Sequence, residues 1–217
     1  MKYCMYFMAL FAMHLGHSQL LYAEMGQSIS SFEYQNSAGG TLDNLQSATN
    51  SFLGFGYTFQ LPNDKLNIDV GLAYTNYGAK GSDEVLDNFF EWDVSYAGLQ
   101  TGITYYFARS REFQFYASLN ASLEYLLRGT QTLNNQIFNL SGEDEFDNFL
   151  IVPRAGVGIQ YPISNKAALY VQYHYGKSYS LVNSNPNDDE KLSITTHNLG
   201  IGITIQLPGC NCSFKNF

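Results

Sequence analysis

The sequence predicts an all-β chain: an eight-stranded antiparallel up-and-down transmembrane β-barrel. Three observations predict it. Bulky apolar residues alternate with small polar ones, as in NLGIGITIQL at 198–207: Leu199, Ile201, Ile203, Ile205 and Leu207 share one face, and Asn198, Gly200, Gly202, Thr204 and Gln206 the other. A period of two is that of a strand. Charged residues are only 14% of the chain and aromatics reach 16%, whereas soluble domains carry about 25% charge. The connections between apolar stretches alternate between short and long, the layout of a meander whose two ends face different compartments.

The N-terminus, MKYCMYFMALFAMHLGHS, has one cation (Lys2), an apolar run and then Gly16-His17-Ser18. This is the pattern of a secretory signal cut after a small residue. Residues 1–18 are expected to be removed, with Cys4 among them. The segment holds one lysine and no acid, so its loss takes the net charge from −8 to −9. Acidity of that size argues against nucleic acid, which recruits Lys and Arg. No window approaches the roughly 18 apolar residues of a spanning helix.

The barrel domain is expected over 19–207. The first strand is the least clear; 28–34 is the candidate, with Phe32 and Tyr34 on one face and Ser31 and Glu33 on the other. The second, to residue 61, sets Leu53, Phe55, Tyr57 and Phe59 against Phe52, Gly54, Gly56 and Thr58. The third, 66–74, sets Leu66, Ile68, Val70 and Leu72 against Asn67, Asp69, Gly71 and Ala73, and 78–91 reads as an acidic loop. The fourth, ending at residue 107, opposes Leu99, Ile103 and Tyr105 to Gly98, Gln100 and Gly102. The fifth, 113–129, is long: Leu119, Leu123, Tyr125 and Leu127 face away from Asn120, Ser122, Glu124, Leu126 and Arg128. The sixth, 150–163, opposes Val157 and Ile159 to Arg154, Gly156 and Gly158, and the seventh, 169–176, opposes Val171 and Tyr173 to Gln172 and His174. The stretch at 198–207 is the eighth. A tail, 208–217, carries Cys210 and Cys212; two cysteines make no disulfide framework.

The bulky face should point outward. A soluble barrel would expose glycine, glutamine and threonine with almost no Lys or Glu to keep it dissolved. An eight-stranded lumen is also only just wide enough for side chains. Turned outward, the apolar faces meet lipid and every backbone group pairs with a neighbouring strand, as hydrocarbon requires. Aromatics bunch where girdles should lie. Tyr57, Phe59, Tyr105, Phe107, Phe113, Phe115, Tyr161 and Tyr170 lie beside the short turns; Tyr74, Tyr77, Trp92, Tyr96, Tyr125, Phe149, Tyr175 and Tyr179 lie toward the long loops.

With that pattern the chain resembles the small eight-stranded outer-membrane β-barrels of Gram-negative envelopes, the size class of OmpA and OmpX. The last strand resembles the family's assembly signal in Asn198, Gly200, Ile203 and Ile205. The resemblance implies insertion by the barrel-assembly machinery, contact with outer-membrane lipid and lipopolysaccharide, periplasmic termini and extracellular loops. It is specific for fold and poor for function.

Chemistry is sparse. Glu124, Arg128 and Arg154 are expected to form a lumen network toward the loop end, with Asp69 near the short turns and His174 mid-strand. Buried charge must be paired, so the network reads as structural. Lipid A deacylases of this barrel size use a His with a Ser two residues on, followed by Asn; here those places hold Gly176 and Lys177. Ser178 is on the His174 face but roughly 13 Å along the strand, beyond the reach of a base. The loops carry Asp83, Glu84, Asp87, Glu143, Asp144, Glu145, Asp147, Asp188, Asp189 and Glu190 with no calcium-loop spacing. No catalytic, metal or cofactor site is predicted. The expected role is a non-enzymatic structural or interaction component, an accessory subunit of a larger envelope complex. The alternatives are a small solute channel and a lipid A-modifying enzyme.

Overall fold

The computed structural model describes residues 19–35, 45–62, 65–83, 88–110, 112–134, 136–140, 149–180 and 191–208. The expected signal, Cys210 and Cys212, and the acidic loop residues of 84–87, 143–147 and 188–190 lie outside them. The strands are β1 (Gln19–Gln35), β2 (Leu45–Gln60), β3 (Leu66–Asp83), β4 (Asn88–Arg109), β5 (Gln114–Leu133), β6 (Gln136–Asn139), β7 (Phe149–Pro162), β8 (Ala167–Lys177), β9 (Tyr179–Ser180) and β10 (Lys191–Gln206).

Each wall strand pairs antiparallel with its neighbours. β1 pairs with both β2 and β10, and β5 pairs with β7, which closes a barrel of eight strands. The short β6 and β9 are additions at the loop end: β6 folds back on the end of β5, and β9 pairs with the start of β7. Closure leaves the wall no open edge within the apolar band, which hydrocarbon demands.

The bulky face points outward, as the alternation predicts. Leu119 is 68% exposed, Leu99 62% and Ile201 57%, while Gly102, Ser118 and Gly200 on the alternate positions are buried. Lipid is the solvent that makes such a surface favourable. Along the strands toward the loops the polarity inverts. Phe32, Tyr77, Val94, Tyr96, Leu126, Leu150, Val152 and Ile194 form an apolar core inside the barrel. At the same levels Glu33, Lys80, Glu91, Asp93, Arg128 and Lys177 face away from it, with Lys80–Glu91 and Lys177–Glu33 paired at 2.9 and 2.7 Å. Apolar inside and charged outside is the pattern of a barrel in water. The strands therefore extend past the bilayer, consistent with 22 residues in β4, against the roughly 9–11 that span.

Several expectations change. β1 begins nine residues before the candidate 28–34, at Gln19, and Phe32 points into the core. Most of the expected acidic loop 78–91 is strand: Gly78↔Asp93 to Asp83↔Asn88 continue the β3–β4 ladder. Tyr77, Tyr96 and Tyr170 are buried in the interior and join no girdle. Arg128 does not face the lumen. Ser95 pairs with Arg128 but Tyr96 pairs with Leu126, so Leu127 is an extra residue. That β-bulge reverses the alternation beyond it. Leu126 stays inside, Gly129 turns inside, and Arg128 goes out to solvent.

Candidate functional site

The lumen holds the polar residues, in three layers. The layer nearest the apolar core is built on Glu124 and Arg154, from β5 and β7. Arg154 Nη2 donates to Glu124 Oε1 at 2.6 Å and to the Tyr77 hydroxyl at 2.8 Å; Nη1 donates to Ser122 Oγ at 2.7 Å. Tyr77 and Ser122 pass hydrogen bonds on to Glu124 at 2.7 and 2.6 Å. Glu124 is 1% exposed, so both carboxylate oxygens are satisfied in a dry site, the condition under which a buried ion pair is tolerated. Gly98 lies opposite Glu124 on β4; a Cβ there would meet Glu124 Cγ at 2.8 Å. Only glycine lets the carboxylate lie across that strand.

His174 occupies the next layer. Its Nε2 lies 2.8 Å from Ser118 Oγ and 3.1 Å from Asn120 Nδ2. An amide donor on Nε2 assigns the ring proton to Nδ1. Ser178 is elsewhere: its hydroxyl accepts the Ile194 amide at 2.8 Å.

The lowest layer is a chamber toward the short turns. Asp69 accepts from Thr58 at 2.5 Å and Thr104 at 2.7 Å, and Tyr22 accepts from Gln100 at 2.6 Å. Tyr106 donates to Gln160 at 2.7 Å and Tyr116 to Gln172 at 2.9 Å. Gln172 in turn donates to Glu24 Oε2. The rings fit because glycines face them: Gly158 lies against Tyr116, Gly202 against Tyr170 and Gly71 against Tyr22. A cavity of about 70 Å³ remains between Glu24, Asp69 and Asn67.

The five predicted lumen residues thus separate. Glu124 and Arg154 meet; His174 and Asp69 sit in lower layers; Arg128 is outside. Ser122 and Ser118, on the face of the fifth strand expected to point inward, complete the layers with Tyr77, expected in a girdle, and Glu24, which precedes the expected first strand. Period two extended from Asp69 reaches Tyr77, and extended back from Ser28 reaches Glu24. In the last strand Asn198 and Gly200 point inward, and Ile203 and Ile205 outward. Among the described residues no group of three or more His, Cys, Asp or Glu is gathered for a metal. The Ser118–His174 contact is buried inside the barrel, and the wall separates it from lipid.

The sequence matches the family described as outer membrane protein beta-barrel domain over residues 4–205. The chain belongs to that family. It is an integral outer-membrane β-barrel protein. No curated protein matches it. Among solved structures it is similar to Neisserial surface protein A, at 16% identity and a TM-score of 0.47, covering 86% of this chain and 97% of that one. It is similar to the outer membrane protein OprG from Pseudomonas aeruginosa, at 15% identity and 0.47, covering 89% and 99%. The outer membrane protease OmpT from Escherichia coli is also similar, at 8% identity and 0.43, covering 87% and 96%. Identities this low speak to fold alone.

Proposed function

We propose that this outer-membrane barrel is a non-enzymatic structural or interaction component of the envelope, an accessory subunit of a larger complex. Its termini would be periplasmic and its loops extracellular, and residues 1–18 would be removed on export. Insertion would use the barrel-assembly machinery, guided by Asn198, Gly200, Ile203 and Ile205, with lipopolysaccharide and lipid against the outer wall. One observation carries the reading: the lumen is closed twice, by the Arg154–Glu124–Tyr77–Ser122 layer and by the apolar core beyond it. A filled interior supports a scaffold over a conduit, and an embedded His174 supports no lipid chemistry.

Affinity purification in a gentle detergent, followed by mass spectrometry, tests this. The expected result is a stoichiometric envelope partner. Stepwise conductance of the pure protein in planar bilayers would favour a small channel instead. A changed lipid A mass on overexpression, lost in His174→Ala, would favour a lipid-modifying enzyme.

A further inference from the structure

The lower chamber is out of charge balance. Among the described residues the ion pairs are Lys80–Glu91, Arg154–Glu124 and Lys177–Glu33. Glu24 and Asp69 belong to none of them, yet both line the same cavity. Their hydrogen bonds come from neutral donors: Gln172 and Tyr170 to Glu24, Thr58 and Thr104 to Asp69. Neutral donors relieve part of the cost of lumen carboxylates and supply no counter-charge.

A second observation is independent of the acids. Asn67, one inward step before Asp69 on β3, is 2% exposed and lines the cavity, and its Oδ1 has no hydrogen-bond partner. An orphaned buried carbonyl oxygen needs a donor or a cation. Glu24, Asp69, Gln100 and Gln172 keep part of their surface free where they line this cavity. At about 70 Å³ it has room for an ion with part of its water shell.

We propose that this chamber binds a hydrated hard divalent cation of the calcium class, between the carboxylates of Glu24 and Asp69 and the amide oxygen of Asn67. Two carboxylates supply the two charges such an ion needs. All the donors are oxygens: carboxylate, amide and the hydroxyls of Thr58 and Thr104. The nearby imidazole is committed to Ser118 and Asn120, so softer metals gain no nitrogen ligand here.

Terbium is the probe, because Tyr22, Tyr106, Tyr116 and Tyr170 line the same chamber and phenols sensitise its emission. The detergent-solubilised full chain, excited at tyrosine, should give terbium emission that calcium displaces. Glu24→Gln and Asp69→Asn should each weaken terbium affinity about tenfold or more. Asn67→Asp should strengthen it, which keeps the test informative if a carboxylate variant folds poorly. A variant neutralising Asp188, Asp189 and Glu190 should leave the chamber signal intact. No sensitised emission, or emission lost only in that loop variant, overturns the proposal. So does an infrared band of protonated carboxyl that persists with calcium and vanishes in Glu24→Gln.

Discussion

Arg154 gives a single guanidinium nitrogen, Nη2, to both Glu124 at 2.6 Å and the Tyr77 hydroxyl at 2.8 Å. Tyr77 relays its own proton to the other oxygen of Glu124 at 2.7 Å. Breaking one member leaves the rest buried and unpaired. Glu124→Gln should destabilise the barrel by about 3–5 kcal/mol, and the paired change Glu124→Leu with Arg154→Met should recover much of that. Urea unfolding in micelles, followed by Trp92 fluorescence, measures both.

The bulge at Leu127 sends Arg128 to solvent. Arg128→Ala should then change stability by less than about 0.5 kcal/mol. Deleting Leu127 would close the bulge and leave Leu126 in, Arg128 out and Gly129 in, the facing they already have. The barrel should therefore tolerate that deletion, whereas Leu126→Arg, which puts a charge into the apolar core, should be far more damaging than either change, in the same unfolding assay.

Leu119 is 68% exposed on the outward apolar face of β5. An arginine there meets hydrocarbon and should cost about 2–4 kcal/mol. The same residue at Asp93, beyond the polarity inversion, should cost almost nothing. Spin labels supply a second readout: at Leu119 and Ile201 they should report lipid, and at Asp93 water. An aqueous signal at Ile201 would reverse the barrel's inside and outside.

At the loop end, the hydrogen bond from Lys177 holds the Glu33 carboxyl below its ordinary value, and Glu33 raises Lys177. A depressed carboxyl contributes stability that is present above its unfolded value, about 4.3, and is lost as pH falls through its folded one. The raised ammonium contributes below about pH 10.4 and loses its contribution as pH climbs past its folded value. Both groups are well exposed, so the pair is worth under about 1 kcal/mol. Glu33→Gln should flatten the acid limb of a stability–pH profile below about pH 4 and leave neutral pH nearly unchanged.

The alternation made most of the wall legible. The faces of 52–59 and 66–72 read from sequence are those of β2 and β3. It failed where the period breaks or the solvent changes. Leu127 is chemically an ordinary strand leucine, and nothing local marks it as the extra residue. Tyr77 and Tyr96 look like interfacial aromatics, but at their level the outside is already water, so rings turn inward. Glu24 is hard to read from sequence because β1 near it, YAEMGQS, lacks the bulky alternation that flags a strand. Asp69, His174 and the Glu124–Arg154 pair were readable because a charge on a Gly/Ser face has few other places to go.

β4 covers 22 residues. At about 3.3 Å per residue and a tilt of about 40°, that is about 55 Å measured along the barrel axis. An apolar band about 25 Å tall leaves about 30 Å of wall standing in water. The molecule is a pedestal. Its described strands carry hydrogen-bonded wall well clear of the headgroups.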